Sequence, residues 1–323
     1  MYFSRFEIDK NRNTIHLTHN DLDGSGCSIL MRAVFKNLKT LRVGYGSIKE
    51  TLLDIIENVE DFPNLFITDL NFKKEEFDIL LEYGVNFNRI IYLDHHIYDY
   101  EINDRKRENL YVEIDSTRCG TELTWYFLSY CGFEEMLKYQ NLAYLIGVYD
   151  LWKSKHPDFP EARDLNRLFW YMGAKNFEKR FLALPKITPS MRETLKELKI
   201  TIAKTFKEAE SQGKLHSDEN ITISLLDEFS SDLKDFYKSK VYMNLIKSYQ
   251  LSIKFDDDLD DSLCQTLRTK ILETLDSNFS NILKSRGGHL RAFGATFEIL
   301  DSKQKETIFK TLSFEILKIL QKG

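Results

Sequence analysis

The chain has 323 residues, a length that predicts about two domains. Its composition, 42% hydrophobic and 13% aromatic, is enough for a packed core and argues against an intrinsically disordered protein. Its 45 Lys and Arg against 50 Asp and Glu give a net charge of −5, so it lacks the basic excess typical of proteins that bind long duplexes. It has no long uncharged apolar run, no N-terminal apolar segment and no C-x-x-C pair among its four cysteines, so we expect a reduced, cytoplasmic protein with no membrane partner.

The first half of the chain alternates strand patterns with helical patterns. Strand patterns cover residues 14–18, 41–45, 64–68, 89–93 and 111–114, and helical spacing covers residues 26–38, 48–59 and 73–83. Strands that alternate with helices of this length indicate βαβ units and a mostly parallel sheet. We therefore predict an α/β fold for this half.

The pattern then becomes helical and changes again near residue 215. Residues 121–149 and 165–181 read as helical, and residues 193–210 form a charged amphipathic pattern that ends at Ser211-Gln212-Gly213. A new strand pattern starts at residue 221. These changes predict an N-terminal domain at 1–185, a helical linker at 186–215 and a smaller C-terminal α/β domain at 216–323.

Acidic and imidazole side chains follow three of the predicted strands. The first strand leads into His19-Asn20-Asp21-Leu22-Asp23-Gly24, the third into Asp69 and the fourth into Asp94-His95-His96. In open α/β sheets, ligands bind beyond the carboxyl ends of the strands. If these strands are neighbours, the sequence predicts one cluster of carboxylates and imidazoles.

Each piece of this cluster also has a simpler interpretation. Asp21 to Gly24 is compatible with an ordinary turn, and an aspartate after a strand often caps a helix. Taken together, however, neighbouring carboxylates repel one another and raise one another's pKa, and divalent cations relieve that repulsion. Mixed oxygen and imidazole ligands suit Mn²⁺, Fe²⁺, Co²⁺ or Zn²⁺ and are compatible with Mg²⁺. Two such ions about 3.5–4 Å apart would serve displacement at phosphorus.

The joint pattern resembles the DHH/DHHA1 phosphoesterase superfamily. Its fourth motif, an aspartate after an apolar helix, is matched by Asp150 in the segment 145–150. Leu267-Arg268-Thr269 resembles a strand of the DHHA1-type substrate-binding domain, and residues 287–294 resemble its glycine-rich loop. The spacing of His19 and Asp21 is closer to the RecJ-like and nanoRNase B-like branch than to inorganic pyrophosphatases.

The resemblance implies an N-terminal DHH metal-binding catalytic domain and a C-terminal DHHA1-type domain. One metal ion would be bound by His19, Asp21 and Asp69, and a second by Asp23, Asp69, His95 and Asp150. The expected ions are two Mn²⁺, with Mg²⁺ or Co²⁺ as alternatives, and a hydroxide bridging them would be the nucleophile. His96 would face the substrate phosphate, and Asp94 would orient a histidine.

The resemblance also implies a substrate site, formed by Arg268, Gly287, Gly288 and His289. Arg286 replaces the first glycine of the family's loop, which would either add a phosphate contact or narrow the loop.

The implied activity is hydrolysis of short oligoribonucleotides from the 3′ end to 5′-mononucleotides. Hydrolysis of 3′-phosphoadenosine 5′-phosphate or of cyclic nucleotides and dinucleotides needs the same site, and a non-catalytic nucleotide-binding protein is a further alternative. Expected partners are short oligonucleotides or nucleotides, with no long duplex, and a homodimer is left open.

Overall fold

The computed structural model describes residues 8–98, 100–102, 108–227, 232–288 and 290–321. It divides into two compact units, Met1–Leu195 and Lys196–Gly323. None of the helices in the described ranges is long and apolar enough to cross a membrane.

The first unit alternates strands and helices and then becomes helical. Its strands are β1 (Thr14–His19), β2 (Leu38–Val43), β3 (Asn64–Thr68), β4 (Arg89–Asp94) and β5 (Leu110–Ile114). Its helices are α1 (Leu22–Val34), α2 (Ile48–Glu57), α3 (Lys74–Tyr83), α4 (Gly120–Tyr130), α5 (Gln140–Asp150), α6 (Phe159–Met172) and α7 (Ala174–Ala183). Helix α8 (Pro189–Ser211) contains the boundary between the two units.

The five strands form one parallel sheet in the order β2-β1-β3-β4-β5. The predicted α/β fold with a parallel sheet is therefore confirmed. Since β2 lies on one side of β1 and β3 on the other, the chain reverses its direction of winding between β1 and β3. This reversal is the topological switch point at which α/β sheets bind ligands.

Side chains alternate between two cores along the buried strands, as the pleat requires. Leu65 and Ile67 of β3 lie in the core formed with α2 and α3, whereas Phe66 of the same strand lies in the core formed with α1 and α4 to α7. All five residues of β3 are buried, so this central strand is covered on both faces.

Helix α1 begins at Leu22, four residues before the predicted start, because Asp21 caps it. The Asp21 side chain accepts a hydrogen bond from the Gly24 N–H at 3.0 Å. The segment from Asp21 to Gly24, which is compatible with a turn in the sequence, is therefore the capped first turn of a buried helix. This turn places Asp21 and Asp23 at the ends of the strands.

The second unit is built on a six-stranded mixed sheet in the order β10-β11-β9-β8-β7-β6. Its strands are β6 (Leu215–Ser217), β7 (Ile221–Ser224), β8 (Val241–Ile246), β9 (Gln250–Phe255), β10 (Leu283–Gly288) and β11 (Ala292–Phe297). Its further helices are α9 (Leu233–Phe236), α10 (Asp261–Phe279) and α11 (Ser302–Leu320). Apolar side chains of α10 and α11 pack with those of β8, β9 and β11 in one core.

The strand predicted at Leu267-Arg268-Thr269 is wrong, since these residues lie within helix α10. The buried residues Cys264, Leu267, Ile271 and Leu275 recur every three or four positions, which is the period of a helix. The strand that precedes α10 is β9, which ends at Phe255.

Candidate metal centre

The carboxyl ends of β1, β3 and β4 lie side by side in the sheet, as the sequence predicts. Thr18 of β1 is in register with Thr68 of β3, and Thr68 with Leu93 of β4. His19 and Asp94 are the last residues of β1 and β4, and Asp69 directly follows β3, so residues far apart in sequence meet at one edge of the sheet.

His19, Asp21 and Asp69 form the first group of possible metal ligands. Each offers one ligand atom, and these atoms lie within 4.8 Å of one another. His19 Nδ1 lies 2.8 Å from Asp21 Oδ2. Burial alone would lower the pKa of His19, but the Asp21 carboxylate outweighs it and raises this pKa.

Asp23, His95 and Asp150 form a second group with the same spacing limit. His95 Nε2 lies 3.8 Å from Asp23 Oδ2, 3.5 Å from Asp150 Oδ2 and 3.3 Å from Asp69 Oδ1. Because His95 Nε2 is near Asp69 as well, Asp69 lies close to ligand atoms of both groups. This is the arrangement expected of a residue shared by two ions.

Asp69 has an unusual backbone conformation at the centre of the cluster. Its φ is +54°, in the left-handed region that few residues other than glycine adopt, and its N–H donates to the Leu93 carbonyl at 3.0 Å. Its Oδ2 atom is buried and accepts no hydrogen bond from the described residues. Strained conformations of this kind persist at sites where they aim a functional group.

Asp23 is held by the N-terminus of α4, a feature that the sequence reading missed. The Gly120 N–H donates to Asp23 Oδ2 at 2.7 Å, and the Thr121 N–H donates to Asp23 Oδ1 at 2.8 Å. A Cβ atom on Gly120 would lie 2.7 Å from the Asp69 Cβ and 2.9 Å from Asp23 Oδ2. Only glycine therefore allows α4 to approach both aspartates, and the glycine at the start of a helical pattern was the available signal.

The four aspartates of the cluster carry more negative charge than its two histidines can neutralise. Burial raises the pKa of Asp69 well above its usual value, and the carboxylates of Asp23 and Asp21 add to this effect. Burial and the neighbouring Asp23 carboxylate likewise raise the pKa of Asp150 to about 8. A carboxylate and imidazole set with these properties fits divalent cations, which would keep both aspartates ionised.

Asp94 and His96 form a pair at the edge of the cluster. His96 Nδ1 lies 2.8 Å from Asp94 Oδ1, and the Tyr98 hydroxyl donates to Asp94 Oδ2. Burial would raise the pKa of Asp94, but the charge and hydrogen bond of His96 outweigh it and lower this pKa. Asp94 thus stays ionised and holds the His96 ring. Possible ligand atoms of Asp94 and His96 also lie within 4.8 Å of those of Asp69 and His95.

The residues expected to bind substrate lie in the second unit. Arg268 projects from α10 and donates to the Gly288 carbonyl at 3.1 Å, with its guanidinium 5.8 Å from the centre of the Phe293 ring. Gly287 and Gly288 are exposed and have φ values of +159° and +123°. Arg286 donates two hydrogen bonds to Asp276, and His289 lies outside the described residues.

Comparison with known proteins relates the chain to enzymes of nucleotide metabolism. No protein-family model matches it. It is 28% identical to the oligoribonuclease NrnB of Bacillus subtilis over 174 residues, 51% of this chain and 43% of that one. It is 25% identical to a 3′,5′-cyclic-nucleotide phosphodiesterase of Helicobacter pylori over 195 residues, 52% of this chain and 54% of that one. The matches thus span about half the length of these curated relatives.

Two solved structures share the fold. The DHH domain of a member of the S1p family of ribosomal proteins superposes with a TM-score of 0.61 at 14% identity, over 95% of this chain and 87% of that one. The exonuclease RecJ bound to manganese superposes with a TM-score of 0.52 at 14% identity, over 95% of this chain and 91% of that one. The chain is thus similar in sequence to an oligoribonuclease and a cyclic-nucleotide phosphodiesterase, and it shares its fold with a DHH domain and with RecJ.

The six residues expected from the DHH motifs to bind metal come together in the first unit: His19, Asp21, Asp23, Asp69, His95 and Asp150. In the second unit, Arg268 contacts Gly288 but from a helix, which is not where the DHHA1 resemblance placed it. The metal and substrate roles of all these residues are taken up as proposals below.

Proposed function

We propose that this chain is a metal-dependent phosphodiesterase that shortens very short oligoribonucleotides from the 3′ end and releases 5′-mononucleotides. The observation that carries the proposal is the pair of ligand groups, His19-Asp21-Asp69 and Asp23-His95-Asp150, which meet around Asp69. The similarity to the oligoribonuclease NrnB supports the substrate class.

Two divalent ions held by these groups would stabilise negative charge on the phosphate and activate water for attack. Mn²⁺ is the proposed ion because the ligands mix imidazole with carboxylate and the RecJ structure with the same fold is bound to manganese. The protein fixes the orientation of two of the proposed ligand side chains. Asp69 is directed by its left-handed backbone, and Asp23 is held by two N–H groups of α4.

His96 is proposed to donate a hydrogen bond to a phosphate oxygen as charge develops there. With Nδ1 engaged by Asp94, Nε2 is the atom that would donate. A donor aimed at developing charge in a buried site typically contributes about 10²–10³ in kcat. Asp94 would act through His96 by fixing the orientation of its ring.

The substrate is proposed to be short because the chain has no excess of basic residues. Binding of long strands depends on releasing counterions from many phosphates, and a net charge of −5 does not favour this. Arg268, Gly287 and Gly288 are proposed to bind one phosphate or the terminal nucleotide. Arg286 is a weaker candidate because Asp276 engages its guanidinium.

A second candidate function is hydrolysis of cyclic nucleotides or dinucleotides, favoured by the similarity to the Helicobacter pylori cyclic-nucleotide phosphodiesterase. Removal of a phosphate from 3′-phosphoadenosine 5′-phosphate needs the same metal centre. The ligand geometry is common to all three reactions, so substrate turnover has to separate them.

The test is a substrate panel with Mn²⁺ or Mg²⁺: oligoribonucleotides of two to ten residues, 3′-phosphoadenosine 5′-phosphate, cyclic mononucleotides and cyclic dinucleotides. We expect kcat/KM to be highest for the shortest oligoribonucleotides and a 3′-labelled trinucleotide to release its label first as a mononucleotide. Turnover of the cyclic compounds alone would favour the second candidate. Tight binding of nucleotides without any turnover would indicate a non-catalytic protein.

A further inference from the structure

An open pocket of about 300 Å³ adjoins the metal centre within the first unit. It is lined by His96, Ile97, Tyr98, Tyr100, Ile102, Ile114 and Ser116. His96 is the residue proposed to face the substrate phosphate. Because His96 also lines the pocket, the pocket lies next to the proposed position of that phosphate. The lining comes from the segment after β4 and from the end of β5. These two segments are neighbours because β4 and β5 pair in the sheet.

The walls of this pocket are apolar and aromatic, and part of this surface is exposed. Ile97 is 86% exposed and Ile114 is 37% exposed, whereas Ile90 and Ile91 of β4 are fully buried. A large apolar side chain in solvent beside a cluster of charged groups contributes nothing to the core. A concave, mostly apolar lining beside a few polar groups is the usual form of a ligand-binding pocket.

Hydrogen bonds hold the aromatic walls in place before any ligand arrives. The Tyr100 hydroxyl donates to the Phe72 carbonyl at 2.7 Å, and the Tyr98 hydroxyl donates to Asp94. The two rings are perpendicular, with centroids 5.5 Å apart. Because both hydroxyls are engaged by the protein, the rings offer carbon surface to the pocket. Tyr98 also joins the pocket to the carboxylate that orients His96.

The lining is suited to a flat, neutral, aromatic ligand. Ile97, Ile102 and Ile114 provide apolar contacts, Tyr100 provides an aromatic ring, and the exposed Ser116 hydroxyl can donate or accept one hydrogen bond at the rim. Among the described residues, the lining contains no lysine or arginine to bind a phosphate. A nucleobase, which stacks on aromatic and apolar side chains and is linked to its phosphate through one sugar, has these properties.

We propose that this pocket binds one nucleobase of the substrate, that of a nucleotide joined to the phosphate beside His96. The inference rests on the proposed function and adds a specificity site to it: Ile97 and Ile114 are positioned to contact the base and distinguish a nucleotide from a simple phosphodiester.

The test compares a dinucleotide with its two abasic analogues, in which the base is removed from one nucleotide or the other. The variants are Ile97→Ser and Ile114→Ser, with Ile299→Ser as the matched control. Ile299 is 83% exposed, similar to Ile97, but lies in the second unit outside the lining. Turnover is measured with Mn²⁺, and equilibrium binding of the same three compounds is measured with Ca²⁺.

We expect the wild-type protein to lose about tenfold or more in kcat/KM on one of the two abasic analogues. The two pocket variants should lose about as much on the intact dinucleotide and nothing further on that analogue, whereas Ile299→Ser should match wild type. Equal kcat/KM for pocket variants and wild type, or equal losses on intact and abasic compounds, would overturn the inference.

The binding measurement separates this inference from the proposed function. If no compound is turned over, the proposed function fails. A base-dependent affinity that is lost in Ile97→Ser and Ile114→Ser but kept in Ile299→Ser would still support the pocket, and an affinity independent of the base would reject it.

Discussion

At the scale of single residues, Asp69 is the side chain proposed to be shared by two metal ions, since it belongs to one ligand group and lies 3.3 Å from His95 of the other. We expect Asp69→Asn to lower Mn²⁺ affinity and to reduce turnover more than about 100-fold, because an amide oxygen carries no charge to share between two ions. Asparagine tolerates the left-handed backbone, so the fold should persist. Mn²⁺ binding by calorimetry and turnover of a dinucleotide check this.

A matched control for this variant is available in the same unit. Asp61 also has a left-handed backbone, with φ of +61°, but is exposed and lies outside the ligand groups. Asp61→Asn should bind Mn²⁺ and turn over substrate as wild type does. Wild-type behaviour of Asp69→Asn as well would contradict the shared-ligand assignment.

The role proposed for His96 differs from that of a metal ligand, and the difference can be measured. We expect His96→Gln to lower kcat about 10²–10³-fold, because a donor to the charged phosphate is lost. Mn²⁺ affinity should stay within about twofold of wild type. A loss of Mn²⁺ affinity comparable to that of Asp69→Asn would instead place His96 among the ligands, which the 4.8 Å spacing also permits.

At the scale of elements, the approach of α4 to the strand ends depends on the absence of a side chain at Gly120. In Gly120→Ala, the added Cβ would meet the Asp69 Cβ at 2.7 Å, so α4 must shift and release Asp23. We expect a loss of stability of about 1–3 kcal/mol and weaker Mn²⁺ binding. Denaturant unfolding and Mn²⁺ titration measure the two effects.

Gly46 provides the control for this change, since a Cβ atom there would meet no atom within 4 Å. Gly46→Ala should therefore leave Mn²⁺ affinity as it is. If Gly120→Ala also binds Mn²⁺ with wild-type affinity, α4 does not position Asp23 in the way its hydrogen bonds suggest.

The elements also show what the sequence could and could not predict. Strand β3 was predicted at its observed bounds because its short apolar run lies between Pro63 and Asp69, which are typical strand boundaries. The start of α1 was missed because its cap resembles a turn. The role of Gly120 was missed because its partner, Asp23, is 97 residues away in the chain. Residue 267 was assigned to a strand from a short motif, although the spacing of Cys264, Leu267 and Ile271 is helical.

At the scale of the whole molecule, the buried charges link pH, metal and stability. Because the pKa of Asp69 and that of Asp150 are raised above the unfolded value near 4, the folded metal-free protein keeps protons that the unfolded chain releases. Stability without metal should therefore fall as pH rises from about 4 to about 8. Because the pKa of Asp21 and that of Asp94 are lowered, these two carboxylates stabilise the folded protein at pH values above the unfolded pKa near 4. This stabilisation is lost as the pH falls below that value.

This linkage predicts that Mn²⁺ stabilises the protein more at higher pH. At 100 times Kd, the ion adds about 2.7 kcal/mol, or roughly 5–10 °C in Tm. The gain in Tm over a chelator-treated sample should be larger at pH 8.5 than at pH 5.5, because fewer protons compete with the ion. A gain that does not change with pH would show that the carboxylates are already ionised without metal.

The parallel order of the first sheet has a consequence for the kinetics of folding. Neighbouring strands never join through a tight hairpin, and β1 pairs with β3 although Thr14 and Asn64 are 50 residues apart. Such distant pairings slow folding, because the chain must close long loops before the contacts form. In refolding from denaturant, we expect helical circular dichroism to recover before Mn²⁺ binding does. The metal centre would then mark the end of folding and could not act as its nucleus.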